Sequence, residues 1–97
     1  MEKIIGKNCI VRGNRSGVFF GKVVSVDKEC VEMENARCIY YWQGALSVLE
    51  IAKKGIDSNN SKLTVTVDNI VLLDVIEIVP CTEKTIIQLN GIEEWKK

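Results

Sequence analysis

The residues best suited to chemistry fall in two short segments. The first is residues 35–45, Asn-Ala-Arg-Cys-Ile-Tyr-Tyr-Trp-Gln-Gly-Ala. It places Tyr40, Tyr41 and Trp42 side by side in a chain with only six aromatics. Aromatic faces hold nucleobases at roughly 1–3 kcal/mol each. On a regular strand, Cys38, Tyr40 and Trp42 share one face, and Arg37, Ile39 and Tyr41 share the other. An exposed face would be a stacking platform, and a buried one would fill core and rim. A bulge in the strand would break that parity.

The second segment is residues 12–17, Arg-Gly-Asn-Arg-Ser-Gly. Arg12 and Arg15 flank a turn whose glycines leave backbone N–H groups accessible, with the Ser16 hydroxyl beside them. Such turns cradle phosphate or carboxylate, and guanidinium forks add bidentate bonds. A solvated hairpin tip is the plainer alternative. Together the two segments supply a minimal nucleotide kit. Arg12, Arg15 and Arg37 would grip phosphate with Ser16. Tyr40, Tyr41 or Trp42 would stack on a base, and Asn35 would bond base or ribose.

Catalytic machinery is not visible. The chain has no histidine, so the commonest general base is missing. Glu32 and Glu34 are spaced for one face of a strand, where carboxylates usually meet water. Neither a GxxxxGK[ST] loop nor a GxGxxG turn occurs. Cys9, Cys30, Cys38 and Cys81 form no CxxC pair, which argues against zinc. Cys9 and Cys30 sit among strand-like apolar residues and are expected as buried thiols. The expectation is therefore no enzyme, no catalytic residue, no metal and no cofactor.

The 97 residues fit one domain, with a core over about 4–89 and a tail over 90–97. Hydrophobic residues make up 46%, enough for a packed core. No apolar run reaches the ~18 residues of a membrane span, and the first residues lack a secretory pattern. A cytoplasmic protein without membrane contact is expected. Net charge is zero, but it is unevenly spread. Residues 1–22 carry five bases against Glu2, a local +4, and residues 66–80 carry three acids and no base, a local −3. A basic face able to hold an anion follows from the first of these.

The elements that must position these residues are mostly strands. The pattern predicts strands over 8–12, 18–26, 30–34 and 37–42, with Gly21 marking a bulge or bend in the second. A helix is predicted over 45–54, with Ala45, Leu46, Leu49 and Ala52 on its inner face and Gly55 after it. Strands follow over 63–67 and 70–79, the latter split near Leu73-Asp74. Pro80 ends them, and Thr82 caps a short helix through Leu89. Residues 92–97 form a frayed or docking tail with Trp95. The fold class is mostly β (α+β): a small, five- to six-stranded, partly open barrel with one inserted helix and a short C-terminal helix. The run Gly17-Val18-Phe19-Phe20-Gly21-Lys22-Val23, the turn at Asp27, Val31 with Met33, and Val67-Asp68-Asn69-Ile70-Val71 resemble the strand order of Sm-like and SH3-like barrels.

The chain also resembles a family of small, functionally uncharacterised bacteriophage and prophage proteins. The resemblance rests on Ile10-Val11-Arg12, Ser16-Gly17-Val18 with Gly21, and Asn35-Ala36-Arg37 followed by Tyr41-Trp42 and Gly44-Ala45. Val75-Ile76-Glu77-Ile78 with Pro80-Cys81-Thr82 completes it, so it covers residues 4 to about 83. The chain departs from the family at Cys38, where a second basic residue is common. The resemblance implies a phage accessory protein in the cytoplasm of an infected bacterium. It implies no particular activity; small phage accessory proteins of this sort often counter host immunity, and the expectation is a homo-oligomer that sequesters a cyclic nucleotide or ADP-ribose-type immune signal. The alternatives are a small-barrel RNA- or DNA-binding module and a structural or protein-interaction subunit of a phage. Steep salt dependence would mark the nucleic-acid binder, and a stable heteromeric complex would mark the subunit.

Overall fold

Cys9, Ile10 and Val11 are all fully buried, although successive side chains on a strand point to opposite faces. Their strand therefore has apolar cover on both sides, and the rest of the fold provides it. The computed structural model describes residues 2–96. The strands are β1 (Asn8–Gly13), β2 (Val18–Asp27), β3 (Cys30–Tyr41), β4 (Lys62–Leu63), β5 (Val67–Leu72) and β6 (Val75–Pro80). Two helices, α1 (Val48–Lys54) and α2 (Glu83–Gly91), and short 3-10 turns at Glu2–Ile4 and Ser58–Asn60 complete the chain.

All pairings between these strands are antiparallel, in the order β4-β3-β2-β1-β6, and β5 pairs with β3 as well. One apolar cluster joins Cys9 and Val11 of β1 with Val23, Val31, Met33, Ala36 and Leu72. This is the interior of the curled sheet. The second cluster joins Ile10 and Phe20 with Ile39, Ile51, Leu63 and Leu89, and it is roofed by the helices. The mostly-β, partly open small barrel with two helices agrees with the sequence reading.

Curvature comes from one crossing. A Cβ placed on Gly21 would sit 2.8 Å from Ala36 Cα and 3.1 Å from the Glu34 carbonyl oxygen. The β2–β3 register shifts there, between Phe20 and Lys22. Asn35 adopts φ +50°, a conformation that asparagine tolerates better than most residues. The bend that suggested two strands, 30–34 and 37–42, is thus a bulge within one strand. Asn35, read as a bond to base or ribose, also turns the chain at this bend and is exposed.

The helix differs from its predicted form. Ser47 accepts from the Glu50 N–H and caps α1, so the helix begins at Val48. Val48, Ile51 and Ala52 face inward, while Leu46 and Leu49 are exposed. Gly55 closes it as expected, at φ +87°. The strand expected over 63–67 is interrupted between β4 and β5. The break at Leu73-Asp74, the stop at Pro80 and the Thr82 cap occur as read. Cys9 is buried, but Cys30 is exposed at the β2–β3 turn, which corrects its expected burial.

Gly21→Ala is expected to destabilise the protein by roughly 1–3 kcal/mol, because the backbone of β3 blocks the added methyl. Urea unfolding checks this: the midpoint should fall with the slope unchanged.

Candidate functional site: an aromatic shelf closed by the C-terminal tail

The tail that follows α2 folds back along β4. The Trp95 N–H donates to the Leu63 carbonyl at 2.8 Å, and Glu94 bridges to Leu63 in parallel fashion. This brings the Trp95 ring to Tyr40, with centroids 6.3 Å apart and planes 17° from parallel. The Lys62 ammonium lies 4.6 Å from the Trp95 ring centre and 5.7 Å from that of Tyr41. Both distances are within the range of cation–π attraction. Tyr40 is 68% exposed and Trp95 43%. Beneath them lies a recess of about 300 Å³ lined by Tyr40, Leu63, Thr64 and Trp95.

The three neighbouring aromatics of β3 therefore part company. Between Ile39 and Tyr41 the pairing with β4 shifts register, and the alternation breaks there. Ile39 is buried, but Tyr41 is exposed and its hydroxyl accepts from Gln43 Nε2 at 2.6 Å. Trp42 is half-buried against the helix-side core and donates to the Ala45 carbonyl at 3.2 Å. The stacking role read for Trp42 is corrected accordingly: its ring is part of the core wall. Trp95 takes its place on the shelf, from a tail that the sequence marked only as frayed or docking. Lys62 carried no sequence signal, since a lone lysine in a polar loop is ordinary.

Arg37 also departs from its assignment as a phosphate ligand. It is 5% exposed, and its guanidinium is spent on main-chain oxygens. Nε and Nη2 donate to the Thr64 carbonyl at 3.0 and 2.9 Å. Nη1 donates to the Leu89 and Ile92 carbonyls at 3.0 and 2.7 Å. Burial pushes its pKa down, and the Glu94 charge opposes that shift. The residue anchors the end of α2 and the start of the tail on β3.

The hairpin from Arg12 to Gly17 does form an anion cradle, and the chain itself fills it. Asp74 Oδ2 accepts from the Arg15 and Ser16 N–H groups at 2.7 and 2.9 Å. Its Oδ1 accepts from the Ser16 hydroxyl at 2.7 Å. The Asn14 N–H donates to the Asp74 carbonyl at 2.8 Å. Arg12 pairs with Glu77 across the β1–β6 ladder at 3.4 Å. Of the phosphate grip assigned to Arg12, Arg15 and Ser16, carboxylates thus take the turn's N–H groups, the Ser16 hydroxyl and the Arg12 guanidinium, while the Arg15 guanidinium makes no ion pair among the described residues. The Ser16 hydroxyl and the Arg15 amide hold the Asp74 carboxyl below its ordinary pKa. Phe19 pairs with Cys38, so this tip and Tyr40 lie at the same end of the sheet.

Burial disfavours the thiolate at three of the cysteines. Burial pushes Cys9 up to about 11. Burial and the nearby Cys9 push Cys81 up to about 12. Cys38 is raised by burial too. Among the described residues no three His, Cys, Asp or Glu side chains gather in a metal-binding group. Among the described residues no helix is long and apolar enough to cross a membrane.

A short, strongly bent antiparallel sheet in this order makes a small, partly open barrel. The chain is similar to a heptameric archaeal Sm protein, with a TM-score of 0.56 over 84% of this chain and 94% of that one. The two sequences are 19% identical, so the likeness is one of fold. The chain belongs to a family defined as a domain of unknown function (DUF6948), whose model matches residues 6–89. No curated protein matches it.

Two outcomes are expected. Arg37→Met removes every donor at similar bulk and strands three carbonyls, which should cost about 3 kcal/mol and release the tail. Unfolding curves and a red shift of Trp95 fluorescence check it, and Arg37→Lys should restore neither fully because it lacks the fork. The second concerns acid. Asp74 has its pKa depressed by folding, so its contribution is present above the ordinary carboxylate pKa and is lost as pH falls through the folded value. Asp74→Asn should lower stability at neutral pH, and the gap to wild type should shrink as both are titrated below about pH 4.

Proposed function

We propose that this protein is a non-enzymatic, homo-oligomeric binding module whose ligand carries a nucleobase. The observation that carries the reading is the exposed Tyr40–Trp95 stack beside Lys62, set over a recess of about 300 Å³. That size is at the lower end of small-ligand pockets, about 300–1,000 Å³. Rings of this kind accept a base face with little regard to sequence, and a neighbouring ammonium adds polar reach. The absence of histidine from the sequence and the raised pKa of the Cys9 and Cys81 thiols support a role without catalysis.

Assembly is supported by the sheet. β5 and β6 each pair on one side only among the described strands, with β3 and β1 respectively. They expose Val67, Val71 and Ile76. An unpaired strand edge is a template for another chain. The similar archaeal Sm protein is a heptamer. A phage accessory role, with a host signalling nucleotide held by the oligomer, is the form of this reading that the family resemblance adds. That form needs a phosphate grip other than the Arg12–Gly17 turn, which Asp74 fills. A protein-binding role is the second reading, favoured by the exposed Leu46 and Leu49 beside α1.

Thermal unfolding tests the proposal, using nucleosides, mononucleotides, cyclic di- and trinucleotides, cyclic ADP-ribose isomers and a short RNA. A ligand at a hundred times its Kd should stabilise by about 2.7 kcal/mol, which is several degrees for this size. Tyr40→Ala and Trp95→Ala should abolish the shift, and light scattering on the same samples should report a mass above that of one chain. No shift with any of these ligands would overturn base binding and favour a protein partner.

A further inference from the structure

We infer that the sugar of the bound ligand lies in the groove that shares Trp95 with the shelf, and that it is a ribose recognised through its vicinal hydroxyls. The inference rests on the base-stacking reading above. The groove measures about 980 Å³ and shares Trp95 with the recess under Tyr40. A base on the shelf and its attached sugar would therefore occupy adjoining spaces.

The lining of the groove determines the chemistry. One wall is the 3-10 turn before β4, with Ser58 and Asn59, and the other is the tail, with Glu93, Glu94 and Lys96. Ile87, Ile92 and Trp95 make up the apolar part of the lining; the polar part is hydroxyl, amide and carboxylate groups, and its acids outnumber its base. An ionised carboxylate is an acceptor only, and its two oxygens can take hydrogen bonds from two neighbouring hydroxyls. Acidic side chains take the ribose hydroxyls of dinucleotides in the same way. A phosphate in the same place would meet like charge.

The amide of Asn59 adds a donor and an acceptor. Its neighbours are committed to the turn. Asp57 accepts from the Asn59 N–H at 3.1 Å and from Asn60 Nδ2 at 2.8 Å, and the Ser61 hydroxyl accepts from the Gln43 N–H at 3.2 Å. Among the described residues the Asn59 side chain makes no such bond, so it is available to the groove. The opposite wall is held in place at two points. Arg37 binds the Ile92 carbonyl, and the Trp95 N–H binds the Leu63 carbonyl. The groove is therefore preorganised from both sides, which lowers the ordering cost of binding.

Calorimetric titration of the whole protein with adenosine, guanosine, cytidine and uridine, each against its 2′,3′-dideoxy counterpart, tests this. The ribonucleoside should bind about tenfold more tightly, the worth of one or two hydrogen bonds to a carboxylate. Asn59→Ala and Glu93→Ala should each reduce that preference, and together bring it to about twofold or less, while leaving dideoxynucleoside affinity unchanged. Equal affinities in the wild type, still lost in Tyr40→Ala, would overturn ribose recognition and leave base stacking standing. If neither series binds, base stacking falls and the ribose site falls with it.

Discussion

The structure depends on one buried cation. A guanidinium withdrawn from water costs several kcal/mol unless its donors are met. Arg37 meets that cost with main-chain carbonyls alone: Thr64 from the strand side, Leu89 and Ile92 from the end of α2. These partners suit the charge. The last carbonyls of a helix lack intrahelical donors and carry its negative pole. A planar fork can reach three carbonyls on two separate segments at once, whereas a lysine ammonium is a single point of charge. One side chain thereby fixes the inserted segment, the helix and the tail to the same strand. Everything on the shelf side of the barrel inherits its position from that fixture. Thr64 follows β4, which carries Lys62, and Ile92 begins the tail, which carries Trp95.

The charge pattern has the same internal logic. The first 22 residues are basic and residues 66–80 are acidic. In the fold these stretches are neighbours, because β1 pairs with β6. Arg12 faces Glu77, and the turn after β1 wraps the Asp74 carboxylate. A turn of successive N–H groups is a good anion site whatever anion fills it. The sequence rightly shows the cradle, but it cannot show that the anion is supplied 58 residues later along the chain. Ionic self-satisfaction of this kind ties the β1–β2 tip to the β5–β6 turn and helps close the barrel.

Legibility followed the range of the interactions. Local signals were sufficient for β1, β2, the break at Leu73-Asp74 and the Thr82 cap, because alternation, turn residues and caps act over a few positions. Gly21 was legible as a bend, yet its reason, the backbone of Ala36 lying where a side chain would start, is tertiary. The join of 30–34 to 37–42 was hidden because Asn35 reads as a loop residue and instead adopts positive φ inside a continuous strand. The helix face failed for a similar reason. Leu46 and Leu49 fit a helical period from Ala45, but the Ser47 cap starts the helix later and turns Val48 and Ile51 inward. The aromatic cluster was visible, while its membership was decided by a strand irregularity at residues 39–41 and by a tail some 50 residues away.

That last point bears on how such a site can work. A shelf made only of consecutive strand residues would have the rigidity of the sheet and little shape. Here Tyr40 comes from the sheet and Trp95 from a tail held by few contacts, the Leu63 carbonyl and the parallel bridge among them. Segments held by few buried contacts open locally at low cost. Arg37 counters this by fixing Ile92, three residues before Trp95, so that the ring can adjust while its tether stays in place. Lys62 adds a cation over the same ring, which orients the indole without covering the exposed faces fully. A base approaching this shelf would meet one fixed ring and one adjustable ring. The energy of ordering the adjustable one is already offset in part by the buried arginine beneath it. The position of the adjustable ring is thus coupled, through a single side chain, to the end of the C-terminal helix.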